Sequence, residues 1–405
     1  MAKPDIRLKG FKGEWEYKPF SDIYVHKVIK NDLTYGVDKI ISVANMHYNS
    51  EASISDINYL KTYNLFEIGD IAFEGHTSKE FAYGRFVENT IGNGIVSHIF
   101  DVYKHKETDR YDLNYWKYAI NNEKIMKNIL VRCTKASTMM HDIIASEFLN
   151  ESIYIPSYEE QRGIGAFIKS IDNQIQAQEI SIFKLKQIKQ ASLVSMFPQA
   201  GETTPRVRFK GFEGEWVVKK LSSIANRVTR KNTHLESTLP LTISAAEGLI
   251  EQTSFFNNVV ASSNVSGYYL VKKGEFAYNK SYSNGYPFGA VKRLDRFEKG
   301  VLSTLYIVFS IDKKVSSDYI VQFFETSLWH QEVAKRAAEG ARNHGLLNIG
   351  ADDFLDINLY LPNSKDEQQR IASYFRSLDK QISLQEKRLE KLKQIKAACL
   401  DKMFV

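Results

Sequence analysis

A chain that repeats itself at a nearly fixed offset is constrained more by the repeat than by any single motif, because both copies must satisfy one fold. Here Pro4-Asp5-Ile6-Arg7-Leu8-Lys9-Gly10-Phe11-Lys12-Gly13-Glu14-Trp15 returns as Pro205-Arg206-Val207-Arg208-Phe209-Lys210-Gly211-Phe212-Glu213-Gly214-Glu215-Trp216. Gly69-Asp70-Ile71-Ala72-Phe73 matches Gly274-Glu275-Phe276-Ala277-Tyr278, and Gly94-Ile95-Val96-Ser97 matches Gly300-Val301-Leu302-Ser303. Both blocks read as short strands after tight turns. Glu147-Phe148-Leu149 leading to Tyr154-Ile155-Pro156 pairs with Asp353-Phe354-Leu355 leading to Tyr360-Leu361-Pro362. The longest block, Glu160-Gln161 through Met196-Phe197, matches Glu367-Gln368 through Met403-Phe404 at roughly half of positions. The offset drifts by only about six residues, so two halves of about 200 residues share one fold with small loop differences.

Within the long block, Ile164, Ile168, Ile171, Ile175, Gln178, Ile182 and Leu185 alternate spacings of four and three. That is the seam of a coiled coil, and Ile371, Phe375, Leu378, Ile382, Gln385, Leu389 and Leu392 repeat it. Gln178 and Gln385 occupy the same slot, and a polar residue there fixes register and partner, so the two helices are expected to pair. A proline and a short polar stretch, Ser157-Tyr158-Glu159 or Asn363-Ser364-Lys365, open each helix with acids in the first turn. Some 38 residues at about 1.5 Å each make a rod near 55 Å long. The order is domain 1–156, helix 157–198, domain 199–362, helix 363–405. It predicts an α+β architecture with a pseudo-twofold, in which two domains are separated by two long antiparallel coiled-coil helices. Pro4–Trp15 should then lie beside Met403-Phe404, as Pro205–Trp216 lies beside Met196-Phe197.

Composition narrows the partner class. The 405 residues are 43% hydrophobic, enough for two or three cores, and the net charge of +6 permits a polyanionic partner. Cys133 and Cys399 are far apart without a nearby His pair, so neither a zinc site nor a disulfide framework is indicated. No apolar leader and no run of about 18 apolar residues occurs, which reads as a cytoplasmic protein.

The ordered duplicate set of Gly10-Phe11, Gly69-Asp70, Pro156 with Glu160-Gln161, and Leu185-Lys186-Gln187-Ile188-Lys189 has counterparts in the second half. These are Gly211-Phe212, Gly274-Glu275, Pro362 with Glu367-Gln368, and Leu392-Lys393-Gln394-Ile395-Lys396. Together they resemble the specificity (S) subunits of type I restriction-modification enzymes over essentially the whole chain. One departure is Glu275 where the first copy has Asp70. The resemblance implies two target recognition domains, each reading one part of a bipartite double-stranded DNA site. It implies helices that set the separation and dock two methyltransferase (M) subunits for adenine methylation, with restriction/translocase (R) subunits joining to cleave. The implied cofactors, S-adenosylmethionine, ATP and magnesium, belong to those partners and none to this chain.

Catalytic signatures are absent from the sequence. There is no Asn/Asp-Pro-Pro-aromatic loop to hold a flipped adenine and no Gly-x-x-x-x-Gly-Lys-Ser/Thr to cradle phosphates. Asp352-Asp353 reads as a turn or helix cap, not a metal site, and Gly92-Asn93-Gly94 as a hairpin turn. For DNA reading, positions shared by the halves hold the fold, and surface positions that differ within the frame are candidates for base or phosphate contact.

Three such stretches stand out. The first is His76, Thr77, Ser78 and Lys79 with Tyr83 and Arg85, against Lys280, Ser281, Tyr282 and Asn284 with Tyr286. The second is Lys135, Ser137, Thr138 and His141, against Arg342, Asn343 and His344. The third is Lys27 and Lys30, against Arg227, Arg230 and Lys231. Lys184, Lys186, Lys189, Lys391, Lys393 and Lys396 make the distal helix ends basic and read as solvated or partner-facing. The rival reading is a coiled-coil scaffold that brackets two proteins without touching bases, and donors in these loops discriminate the two. A hidden nuclease lacks a carboxylate-lysine motif.

Overall fold

The structure, a computed structural model, describes residues 3–49, 54, 56–136, 140–199, 201–244, 247–253, 264–281, 285–337 and 347–405. The chain divides into two units, Met1–Ile180 with Glu386–Val405 and Ser181–Gln385. Each unit therefore owns part of both long helices.

In the first unit, Glu16–Pro19 pairs antiparallel with Ser152–Ile155. A four-stranded antiparallel sheet runs in the order Tyr24–Lys27, Val102–His105, Ile71–Glu74, Arg85–Glu88. Every residue of the inner strand Ile71–Glu74 is buried, whereas the edge strand Arg85–Glu88 alternates, as a strand open on one face should. Two small ribbons, Asn64–Phe66 with Gly94–Val96 and Ile41–Ser42 with His47–Tyr48, pack a satellite core. Helices Leu113–Ala119 and Glu123–Cys133 are started by Asp112 and Asn122, whose side chains accept backbone N–H groups of Tyr115 and Lys124. Phe148, fully buried, stacks on Phe20 at 4.5 Å and meets Phe86 in a tilted contact at 4.4 Å. Burying such a ring contributes about 1.5–3 kcal/mol.

The second unit repeats this order with Ala225–Arg227, Ile307–Ile311, Phe276–Asn279 and Ala290–Arg293. Val217–Lys220 pairs with Asn358–Leu361, Tyr269–Lys272 with Lys299–Leu302, and Leu241–Ser244 with Gly248–Glu251. Ser316 caps helix Ser317–Phe323 as Asp112 caps its twin. The first unit also carries a hairpin, Thr134–Ala136 with His141–Ile143; in the second unit residues 338–346 of the matching stretch lie outside the described residues. One expectation is corrected. Gly92-Asn93-Gly94 is not a hairpin turn, because it links Arg85–Glu88 to Gly94–Val96, which pair with different strands in different sheets.

The long helices span Tyr158–Ser195 and Lys365–Lys402, 38 residues each. Expected seam positions Ile164, Ile168, Ile171, Gln178 and Ile182 are buried, as are Ile371, Phe375, Leu378 and Ile382. Ile175, Leu185, Gln385, Leu389 and Leu392 are half-buried. Within the first unit the helices run antiparallel, with Lys396 2.7 Å from Asp172 and Lys393 2.8 Å from Glu179. The second unit shows the same sense, with Lys189 2.7 Å from Asp379 and Ser192 3.0 Å from Tyr374. As the repeat predicts, Ile6 N donates to Lys402 O at 2.9 Å, and Val207 N donates to Ser195 O at 2.9 Å.

Candidate nucleic-acid interface

The inner strand of the first unit ends at Glu74, a carboxylate buried to 7% exposure. His76 Nδ1 donates to its Oε1 at 2.9 Å and Arg85 Nε to its Oε2 at 3.1 Å. Arg85 Nη2 reaches Ala44 O at 2.8 Å, and the guanidinium lies 4.9 Å over the Phe81 ring. Thr77 and Lys79 are exposed, while Ser78 shapes the turn, its hydroxyl accepting from the Glu80 and Phe81 amides. Tyr83 meets His141 edge-on at 5.6 Å, and His141 N donates to Gly75 O at 2.8 Å. The first two sequence stretches are thus brought together at one end of the sheet, with Lys135 exposed on the adjoining hairpin. Ser137 and Thr138 lie outside the described residues.

In the second unit the same end carries Lys280, Ser281 and Tyr286, all half-buried. Leu347 N donates to Lys280 O at 3.0 Å, the twin of the His141–Gly75 bond, and Lys280 Nζ reaches Ile349 O at 3.3 Å. Tyr282, Asn284, Arg342, Asn343 and His344 lie outside the described residues. Both loops close through a glycine at φ +76°, Gly84 and Gly289. A Cβ there would fall 2.7 Å from Glu74 O or 2.0 Å from Asn279 O, so the loop bases need glycine twice over.

The third stretch is not part of this assembly. Lys27 faces the start of the inner strand, about 13 Å from its Glu74 end at 3.3 Å per residue. Its ammonium is 2.5 Å from Asp70 and 2.8 Å from Glu67, with 3% side-chain exposure, so this lysine is a structural ion and not a surface donor. Burial pushes the Asp70 carboxyl up, against the opposing pull of Lys27, whereas the bond to Lys27 pulls the more open Glu67 down. Arg230 likewise reaches Glu275 at 2.8 and 3.0 Å and Leu270 O at 3.0 Å. Lys30 Nζ bonds Asn64 Oδ1 at 2.7 Å, while Lys231 bonds Gly267 O at 3.0 Å and lies 4.2 Å over Tyr269. Arg227 is exposed, 3.9 Å from Asp352. Of the helix lysines read as solvated or partner-facing, Lys189, Lys393 and Lys396 join one helix to the other, and Lys184 and Lys391 are exposed.

Sequence reasoning missed the pairing that ties each entry strap to its helix. Arg7 Nε and Nη2 reach the Glu160 carboxylate, both at 2.7 Å, while Nη1 bonds Gly13 O at 2.6 Å. Arg208 repeats this with Glu367 at 2.6 and 2.8 Å and with Gly214 O at 2.6 Å. Both glutamates retain only 1% side-chain exposure. Asn31 and Asn232 form a second twin, buried and closing their loops through Tyr35 and Ser237. Each of these residues stands in the repeat, so aligning polar twins and asking for a partner would have found them.

Asp353 accepts from Gly350 N at 3.2 Å at the start of helix Ala351–Leu355, the capping role expected of the acidic pair. Cys133 and Cys399 are free, buried thiols, and burial pushes Cys133 up to about 12. Among the described residues no group of three His, Cys, Asp or Glu could hold a metal ion, and no helix is long and apolar enough to cross a membrane.

Two antiparallel α+β units, a duplicated frame and loops that differ at one sheet end define the class of a tandem recognition module. Residues 13–187 and 213–394 match the family model of the type I restriction modification DNA specificity domain, and the chain belongs to that family. It is a DNA-sequence-specificity subunit of a type I restriction-modification system. The fold is similar to that of a type I restriction-modification system S subunit from M. genitalium, at 14% identity and TM-score 0.56, covering 100% of this chain and 99% of that one. A structure concerned with complex assembly and conformational transition of the type I R-M system is similar at 14% identity and TM-score 0.52, covering 98% and 99%. No curated relative matches the chain.

Proposed function

We propose that each unit reads one half of a bipartite double-stranded DNA target at the loop end of its central sheet, and that the chain itself performs no catalysis. In this reading the long helices dock two M subunits, which methylate adenine with S-adenosylmethionine. R subunits using ATP and magnesium join them to cleave, and the assembly works in the cytoplasm. The observation that carries the reading is the pairing of a frame conserved between the units with loop ends that are not. The Gly84 and Gly289 bases and the inner-strand backbones coincide, while Glu74, His76 and Arg85 stand where the second unit has Asn279, Ser281 and Ala290. Loops on a rigid scaffold are where sequence-reading donors sit. The test compares the purified chain alone with the chain co-expressed with its M subunit. Alone it should transfer no methyl group, and in a two-to-one complex it should methylate one bipartite sequence. Methyl transfer by the chain alone, or methylation without a sequence preference, would sink the reading.

A further inference from the structure

We infer that Arg85 is a specificity-determining residue for one base pair of the half-site read by the first unit, and that buried Glu74 is its positioning residue. The inference rests on the DNA reading above. The side fork of the guanidinium, Nε and one Nη2 hydrogen, is held by Glu74 at 3.1 Å and Ala44 O at 2.8 Å. Phe81 covers its face at 4.9 Å. That leaves the end fork, Nη1 and the second Nη2 hydrogen, without a partner among the described residues, on a side chain that keeps 23% exposure. An end fork is the geometry that reaches guanine O6 and N7 together in the major groove. A donor held on three sides loses little rotamer freedom on binding, so its directionality becomes discrimination.

Two further facts point the same way. Glu74 also accepts a hydrogen bond from His76 Nδ1 at 2.9 Å, so one carboxylate orients two neighbouring side chains, and His76 keeps 57% exposure. In the second unit the Arg85 position is Ala290, 8% exposed, and the Glu74 position is Asn279, which accepts from Ser281 N at 3.0 Å. The cluster therefore belongs to one half-site only. The Arg7 and Arg208 pairs, by contrast, recur with the frame.

The experiment uses the full chain in complex with its M subunits and reads methylated sites across a genome, together with binding to duplexes substituted at each position. Arg85→Ala should relax one base pair of one half-site, lowering discrimination there about 5- to 100-fold, with the other half-site intact. Glu74→Gln should relax the same base pair, and Glu74→Gln combined with Arg85→Ala should lose no more than Arg85→Ala alone. The intact second half-site reports that the chain is folded. A uniform loss across sequences, with the salt slope falling by about one, would make Arg85 a phosphate contact and overturn the inference. Unchanged discrimination in Arg85→Ala would overturn it too. Failure of the wild-type complex to read any bipartite site would instead bring down the broader reading.

Discussion

Glu88 and Arg293 end the fourth strand of their sheets at equivalent positions, an acid in one unit and a base in the other. Arg293 is served by Asp295 at 2.7 Å and Asp318 at 2.8 Å. Among the described residues Glu88 has no such partner: it is 3% exposed, hydrogen-bonded to the Tyr111 hydroxyl, and its Oε2 meets no hydrogen-bond partner there. Burial pushes its carboxyl well above the usual range, Lys117 opposes and Asp112 adds. A protonated Glu88 can donate to the Tyr111 oxygen and free the Tyr111 proton for Gly69 O, 3.2 Å away. The consequence has a definite sign. As pH rises above about 4.3, the unfolded glutamate ionises while the folded one keeps its proton, so the first unit loses stability until the raised folded value is passed. Glu88→Gln keeps the shape and removes the titration. It should raise the Tm of the first unit at pH 7 by about 2 °C or more and flatten its pH dependence between pH 5 and 8. Calorimetry at several pH values checks this, and an equal or lower Tm at pH 7 would show that Glu88 is satisfied as an anion.

At the scale of elements, the straps Pro4–Trp15 and Pro205–Trp216 are fastened by Arg7–Glu160 and Arg208–Glu367. Each glutamate lies in the first turn of a long helix, where the helix dipole favours an anion. Removing one partner of so enclosed a pair costs about 3–5 kcal/mol, because the other charge is left without its counter-ion. Glu160→Ala should therefore destabilise the first unit by about that amount and leave the second near wild type, with Glu367→Ala doing the reverse. Urea unfolding followed by hydrogen exchange separates the units, and a loss under 1 kcal/mol would show the clamps to be ordinary surface pairs. The helices were legible in the sequence because their seam repeats locally: the expected positions are buried or half-buried and the length matches. The clamps were not, because partners 153 and 159 residues apart leave no local period. Lys27 failed for a related reason. Nothing in Tyr24-Val25-His26-Lys27 separates a solvated lysine from one turned onto Asp70, and the second unit supplies its cation from Arg230, two positions further along the frame. The loop cluster was half legible: the stretches stood out because they differ between the halves, but Glu74, the buried strand-end carboxylate that organises them, has no local signal that marks it.

For the whole molecule, the duplication has a consequence that follows from which half contributes which contact. The first unit is completed by the end of the second helix, where Leu400 O accepts from Asn122 at 2.8 Å, Asp401 pairs with Lys124 at 3.0 Å and Phe404 stacks on Tyr115 at 5.5 Å. The second unit is completed in the same way by the end of the first helix, where Phe197 lies 6.1 Å from Trp216 and Leu193 and Met196 join its core. Lys396–Asp172 and Lys189–Asp379 are the same bond made once in each direction. A fragment of residues 1–200 thus carries both the site that needs completing and the helix end that completes it. Two copies can satisfy each other by exchanging helix ends, whereas one copy leaves Trp15, Tyr115 and the strap exposed. The fragment should therefore be dimeric in light scattering, with a mass close to the 46.5 kDa of the intact chain, and Lys189→Asp should weaken that dimer. Combining Lys189→Asp with Asp172→Lys should restore it, since the exchanged pair is rebuilt with its charges reversed. With M subunits added, the dimer should direct methylation to two copies of the half-site read by the first unit. A folded monomer would show that the first unit closes without a second helix end, and that completion across the repeat is not what holds it together.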